Sequence, residues 1–452
     1  MPSSTASGLT TSSRVPGTLR TGLEILGGRK IVVARSVSEQ HAGALRRTDG
    51  AKIAWAANTA LTERLPLGLV ISTSGSEVSD GIDALHGWGE AAAAVSACSG
   101  VVPVLAAVTG TAIAGPALLL GLADITVMTP DAFSYLSGPD AVRDFTGIRM
   151  GPRELGGTAL HATASGLCAL VAAGEAQATE LLGAVLYYLP DHADAAPQRM
   201  ATSDPPDRST PELQGIVPAS SRATYDVRQV VRSVVDESEL LELSAGWAPQ
   251  IVTGLASVGG MAVGVVANQP RALAGTLDIA ASQKAARFVR FCDSFNVPLL
   301  TFVDTPGFLP GKDREWRGMI RHGSELAFAY AQATVPRVCV VLRKAYGGAY
   351  IVMDSKAIGN DICYAWPLAE IAVMGAKGAA QILHREATEE EREELEERYA
   401  QDMLTPWVAA ERRYVDEVID PTDTRVAVWR ALELLCTRRE QIPRRKHDAG
   451  PM

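Results

Sequence analysis

No run of apolar residues in the 452-residue chain approaches the length needed to cross a bilayer, so no membrane-spanning helix is expected. A basic surplus is missing too. Lys and Arg number 42 against 51 Asp and Glu, a net charge of −9, which leaves nothing to offset nucleic-acid phosphates. The one basic cluster, Arg444, Arg445, Lys446 and His447, sits in a tail and reads as solvated. Six cysteines (Cys98, Cys168, Cys292, Cys339, Cys363, Cys436) form no Cys-X-X-Cys pair, which excludes a zinc ribbon, and a disulfide framework is not expected at this length. They read as packed thiols in a cytoplasmic protein. Histidines at metal or triad spacing are lacking, no metal site is expected, and no P-loop is present. The N-terminus has neither the basic start nor the apolar block of a leader, so residues 1–17, small and polar, are expected to form a disordered tail.

What is present is a regular alternation. The length calls for two domains. Short apolar runs (Ile31–Ala34, Leu67–Ser72, Val101–Val108) alternate with helix-like stretches (Gly50–Glu63, Asp83–Cys98), the pattern of α/β units whose strands are buried on both faces. Around residues 195–221 the composition turns to Pro, Ser, Asp and Arg, which reads as a linker. The domains are therefore placed at 18–195 and 226–440, with a linker at 196–225 and a basic tail at 441–452. The charged stretch Ala387–Tyr399 reads as a solvated helix.

An internal repeat organises the two domains. The first contains LPLGLVISTSG (65–75) and VVPVLAAVTGTAIAGPALLLGLADITVM (101–128); the second contains VPLLTFVDTPG (297–307) and VPRVCVVLRKAYGGAYIVMDSKAIGNDI (335–362). Pro66 precedes Pro103 by 37 residues and Pro298 precedes Pro336 by 38; Pro103 precedes Ala114 by 11, as Pro336 precedes Gly347. Both halves follow one plan: strand, Gly-containing turn, helix, strand, Gly turn, helix.

A strand that ends in Gly-Gly and opens a helix presents unpaired backbone N–H groups, and glycine lets an oxygen approach them. Such donors stabilise an oxyanion. In the KAYGGAY turn the amides of Gly348 and Ala349 are the candidate donors. The same spacing also fits a tight junction that binds nothing.

Residues 267–311, 343–356 (RKAYGGAYIVMDSK) and 365–379 (AWPLAEIAVMGAKGA), with GPDAV (138–142), ELGG (154–157) and YVDEVI (414–419), resemble the carboxyltransferase β subunit of propionyl-CoA and related biotin-dependent acyl-CoA carboxylases. The resemblance runs from about residue 27 to 447 and is more specific in the second half. It implies two tandem crotonase-like ββα-spiral domains, the first on the acyl-thioester side and the second on the biotin side. It also implies that carboxybiotin, after losing its carboxyl group, becomes the base, so the protein needs only oxyanion holes. Carried over, the second turn is Gly347, Gly348 and Ala349 and the first is Ala114 and Gly115. Ile351 falls where the family sets acyl-group choice, and as an apolar residue it suggests an uncharged chain. Tyr346, Gly75, Gly138 and Phe308 are the further candidate substrate contacts, Phe308 shaping the biotin approach. Without a Met-Lys dipeptide the chain carries no biotin of its own. The expected partners are a biotin carboxylase/biotin carrier subunit and further carboxyltransferase subunits, the active site lying between the first half of one subunit and the second half of another. A coenzyme A or carrier-bound thioester is the expected substrate.

The first half departs from the family pattern. Gly-Gly-Ala-Arg appears as Ser74-Gly75-Ser76-Glu77, the first glycine of the turn is Ala114, and Pro116 removes one N–H and is expected to push Gly115 out of helical geometry. In the family a longer N-terminal segment helps hold the coenzyme, and here it is expected to be missing or replaced by the short tail. Two other readings fit these changes: a biotin-independent acyl thioester decarboxylase of the same fold, and a non-catalytic subunit paired with a fuller homologue.

Overall fold

The computed structural model describes residues 17–37, 41–220 and 223–451. The expected tail lies outside them except for Gly17. The chain divides into two units, residues 1–196 with 294–296, and 197–293 with 297–452.

The first unit is built on a seven-stranded sheet: β1 Leu19–Leu26, β2 Arg29–Ser36, β3 Leu67–Thr73, β4 Val104–Ile113, β5 Ile125–Met128, β6 Phe133–Tyr135 and β7 Leu170–Val171. Its order is β1-β2-β3-β4-β5-β7, with β6 beside the end of β4. β1 and β2 form an antiparallel hairpin turned by Gly27 and Gly28, both at positive φ, and every later pair is parallel. β3 is buried along nearly its whole length, which is why it reads as an unbroken apolar run. The expected strand Val101–Val108 begins only at Val104, because the amides of Val101 and Val102 turn back to the Cys98 carbonyl and close the preceding helix. That helix, Ile82–Cys98, crosses helix Arg47–Glu63 at Gly87 and Gly50. A Cβ on Gly50 would stand 2.0 Å from the Gly87 carbonyl oxygen, so this crossing tolerates no side chain. Ile53, Leu69, Val95, Val104 and Ala106 form the core around it.

The second unit carries an eight-stranded sheet: β8 Leu241–Leu243, β9 Ile251–Val258, β10 Met261–Asn268, β11 Leu299–Thr305, β12 Arg337–Tyr346, β13 Ile362–Ala365, β14 Glu370–Ala372 and β15 Glu417–Val418. The order is β15-β13-β12-β11-β10-β9-β8, with β14 beside the end of β12. β8, β9 and β10 pair antiparallel and the others parallel. Val263, Phe302, Val340 and Trp366 are central to its core. Residues 197–220, linker-like in composition, lie on this unit. The Met200 amide donates to the Gly260 carbonyl at 2.7 Å, the Thr210 amide to that of Thr422 at 2.8 Å, and Leu213 and Val217 enter the core.

One irregularity occurs in both sheets at matching places. β3 and β4 pair up to Ile71 opposite Val108, then resume at Thr73 opposite Ala112. β11 and β12 pair up to Val303 opposite Val341, then resume at Thr305 opposite Ala345. The extra residues on β4 and β12 re-aim the strand ends that carry the glycine turns.

Candidate active site

Each unit brings two loops together at the carboxyl ends of its strands. In the first, the loop after β3 is closed by Thr73, whose Oγ1 accepts from the Gly75 amide and donates to the Gly75 carbonyl, both at 3.1 Å. Leu45 pins the loop from the side. Its amide donates to the Gly75 carbonyl at 2.8 Å, and its carbonyl accepts from the Glu77 amide at 2.9 Å. Gly75 has φ +106°, and a Cβ on it would stand 3.5 Å from the Cβ of Ala114, so the two loops touch. The loop after β4 begins at Ala114 with φ 58° and ψ −151°, a region that ordinarily belongs to glycine. The Ala114 amide donates to the Tyr135 carbonyl at 2.9 Å, and the Ala117 amide to the Ala114 carbonyl at 3.0 Å. Gly115 and Pro116 start a short 3-10 turn. The expectation that Pro116 displaces Gly115 from helical geometry is therefore corrected: the first turn of a helix needs no donor from its second residue, so proline fits there. Among the described residues the Ser76 amide has no hydrogen-bond partner, and Gly115 opens the 3-10 turn, whose first amide has no acceptor within the turn.

The second unit repeats this construction. Thr305 Oγ1 lies 3.4 Å from the Gly307 amide and 3.5 Å from its carbonyl. Leu277 takes the place of Leu45: its amide donates to the Gly307 carbonyl at 3.1 Å and its carbonyl accepts from Leu309 at 2.8 Å. Gly347, with φ +59°, ends β12 and opens helix Gly347–Val352, whose first-turn amides have no side-chain cap. Gly348 is exposed and Ala349 is fully buried behind it. The Phe308 ring lies beside Gly348, 3.6 Å from where a Cβ would be. Here the Phe308 amide has no hydrogen-bond partner among the described residues, and the amides of Gly347, Gly348 and Ala349 form the first turn of the helix, where no intrahelical acceptor exists.

Behind the second pair of loops lies a buried ion pair. Asp304 at the end of β11 faces Arg343 at 3.1 Å, accepts from the Lys344 amide at 3.1 Å and from the Tyr225 hydroxyl at 2.9 Å. Burial pushes its carboxyl up, while Arg343 and the Lys344 amide pull it back. Arg343 also donates to the Ser220 and Ala223 carbonyls, both at 2.9 Å, which ties those two residues to the strand end.

The structure thus brings Gly75 to Ala114 and Gly115, and Phe308 to Gly347 and Gly348. Gly138 is one step removed: it caps helix Pro139–Thr146, and a Cβ on it would stand 3.5 Å from the Tyr135 ring. Ile351 lies on helix Gly347–Val352, 37% exposed. The Tyr346 hydroxyl donates to Glu370. Histidines pair instead with neighbours on their own helices. His161 Nδ1 is 2.7 Å from Ser165 Oγ, and His322 Nδ1 is 2.7 Å from Glu325 Oε1. Both pairs arise from i,i+4 or i,i+3 helical spacing, which a search for metal or triad spacing passes over. Neither ring is hydrogen-bonded to the four loops. Sequence reading also missed Leu45, Leu277 and the two threonines, although Thr-X-Gly recurs at 73–75 and 305–307.

Residues 4–449 match the carboxyl transferase domain. The chain belongs to that family. It is 40% identical over 448 residues to the propionyl-CoA carboxylase carboxyltransferase subunit of Haloferax mediterranei, covering 97% of this chain and 87% of that one. It is 41% identical over 451 residues to the propionyl-CoA carboxylase beta chain of Saccharopolyspora erythraea, covering 96% and 83%. A crystal structure of transcarboxylase 12S, with methylmalonyl-coenzyme A and methylmalonic acid bound, superposes with a TM-score of 0.95 at 40% identity, covering 98% of this chain and 88% of that one. The two α/β units are therefore crotonase-like, and this family member is a carboxyltransferase acting on acyl-CoA.

Proposed function

We propose that this chain transfers a carboxyl group from carboxybiotin, held on a separate carrier chain, to the α-carbon of a short, uncharged acyl-CoA. The observation that carries the reading is the duplicated loop pair, in which a loop amide without a partner is joined by the first-turn amides of a helical turn: Ser76 with Gly115, and Phe308 with Gly348 and Ala349. Fixed donors of this kind stabilise charge as it develops on an oxygen, and they need no reorganisation during the reaction. In this reading the first pair receives the thioester oxygen and the second the ureido oxygen of biotin. The fit to biotin rests on the exposed Gly348 amide beside the flat Phe308 ring, a polar donor flanked by an apolar face. Bound carboxybiotin supplies the carboxyl group and then the base. Gly348 and Phe308 orient the ring, Ala349 backs the turn, and Ile351 offers an apolar contact to the acyl chain. Gly347 and Ala114 set the backbone of the two turns; Gly75, Gly138 and Tyr346 shape their surroundings.

Among the described residues no helix is long and apolar enough to cross a membrane, and no cluster of three or more His, Cys, Asp or Glu side chains could hold a metal ion. Free cysteines throughout fit the cytoplasm as the location. Val78, Ile82 and Phe145 in the first unit and Trp316, Ile320 and Val373 in the second are exposed, which supports assembly with further carboxyltransferase subunits.

The test combines the purified chain with a biotin carboxylase, its biotinylated carrier, ATP and labelled bicarbonate over a panel of acyl-CoA thioesters. Label is expected in the acid-stable product of a short acyl-CoA only when the carrier is present. Label fixed without any biotin-bearing chain would refute the reading, as would a complete mixture that carboxylates no thioester.

A further inference from the structure

The stretch AWPLAEIAVMGAKGA (365–379) contributes no amide to either loop pair, yet it wraps the second turn. β14 pairs with the last residues of β12, Lys344 opposite Glu370, Ala345 opposite Ile371 and Tyr346 opposite Ala372. From there the chain passes over the turn, so that the Val373 carbonyl lies 3.0 Å from where a Cβ on Gly347 would stand. Gly375 then rests against the Tyr346 ring, its own Cβ position 3.3 Å from Cε2. Gly347 is thus confined by a carbonyl that excludes any side chain, in a backbone conformation that glycine tolerates best.

One side-chain bond closes this brace: the Tyr346 hydroxyl donates to the Glu370 carboxylate across the two strands. Tyr346 is the residue that caps helix Gly347–Val352, so a restraint on its side chain acts one residue before Gly347 and two before Gly348. A hydrogen bond to a charged acceptor in a half-buried place is stronger than a neutral one. The first unit has no such bond at the matching place. There Ile113 and Phe133 stand where Tyr346 and Glu370 stand, in the same strand pairing of β4 with β6. The brace is therefore an addition to the second half.

We propose that Glu370, acting through Tyr346, is a positioning residue of the second loop pair: it fixes the Gly347–Gly348 turn so that the Gly348 amide points where charge develops. This rests on the carboxyl-transfer reading above. Removing the bond lets the turn rock, and a displacement of about 1 Å at a reacting centre costs up to about 10²-fold in rate.

The test compares Glu370→Ala, Glu370→Gln, Tyr346→Phe and the double variant Tyr346→Phe/Glu370→Ala in the reconstituted system, after thermal unfolding shows each one folded. Glu370→Ala and Tyr346→Phe are expected to lower kcat by about 10- to 10²-fold and leave the KM for acyl-CoA within about twofold, since the thioester group is received by the other loop pair. Glu370→Gln keeps an acceptor and should retain most of the turnover. The double variant should be no slower than either single one, because both remove the same bond. Amide hydrogen exchange supplies a readout independent of activity: residues 346–350 should exchange faster in Glu370→Ala and near the native rate in Glu370→Gln. Unchanged exchange, strictly additive losses, or a KM that rises as far as kcat falls would each overturn the proposal. A native protein that transfers no carboxyl group would overturn the functional reading alone, leaving the exchange result to decide the brace.

Discussion

Ala114 and Gly347 hold the same place in the two halves and almost the same backbone angle, φ 58° and 59°. Each follows its proline by 11 residues, and each ends the strand that has just passed a bulge. Only one of them is a glycine. The first half thus keeps a left-handed backbone while paying the steric cost of a Cβ.

Ala114→Gly is accordingly expected to stabilise the protein by about 1 kcal/mol, the lower end of what such a strained residue costs. Urea unfolding measures it. A destabilised variant would mean that Ala114 is held by packing that outweighs the strain.

The two turns should respond differently to a methyl group. A Cβ on Gly115 would stand 2.8 Å from Trp88 Cε2, inside van der Waals contact, whereas one on Gly348 meets Phe308 Cε2 at an ordinary 3.6 Å. Gly115→Ala should therefore lose about 1–3 kcal/mol of stability, and Gly348→Ala little. Paired unfolding curves check this; equal losses would place Trp88 elsewhere.

At the second turn, Gly348→Val sets a branched side chain over the exposed amide. Turnover should fall by at least about 10²-fold, the cost of one oxyanion donor, with acyl-CoA binding little changed. Steady-state kinetics beside equilibrium binding of the thioester separates the two. Normal turnover by a folded, assembled Gly348→Val protein would leave the donor assignment without support.

Asp354, fully buried just beyond helix Gly347–Val352, pairs with Arg337 at 3.0 Å and accepts from Asn360 at 3.0 Å and Thr301 at 3.2 Å. Burial pushes its carboxyl up to about 6, against the pull of Arg337, Asn360 and Thr301. A carboxyl raised on folding binds protons more tightly in the native state. Its contribution is therefore fully present below the unfolded value near 4 and is lost as pH rises through about 6. Between about pH 4 and pH 7 the loss is on the order of 3 kcal/mol. Unfolding across that range should show a falling component in the native protein that is missing from Asp354→Asn. Parallel profiles for the two proteins would refute the assignment.

Much of this molecule was legible in its sequence because the informative signals were local. Buried parallel strands give unbroken apolar runs, and a duplicated strand–turn–helix keeps its spacing, so the two α/β halves and the glycine turns at Ala114 and Gly347 followed from counting residues. Family membership was legible for the same reason, in runs such as RKAYGGAYIVMDSK. Other features depended on residues far apart in the chain. Leu45 pins Gly75, and Leu277 pins Gly307, through backbone groups that carry no residue signature. The Tyr346–Glu370 bond exists because β14 lies beside β12, a pairing that no periodicity specifies. Pro116 was misread for a local reason, since its effect on Gly115 depended on whether it opened a helix or interrupted one. The sequence by itself determined which segments become strands, which turns need glycine and which chemistry the family performs. Which amides are left without a partner was decided only by the tertiary structure, because a backbone donor is identical in every residue and only its neighbours decide whether it is spent.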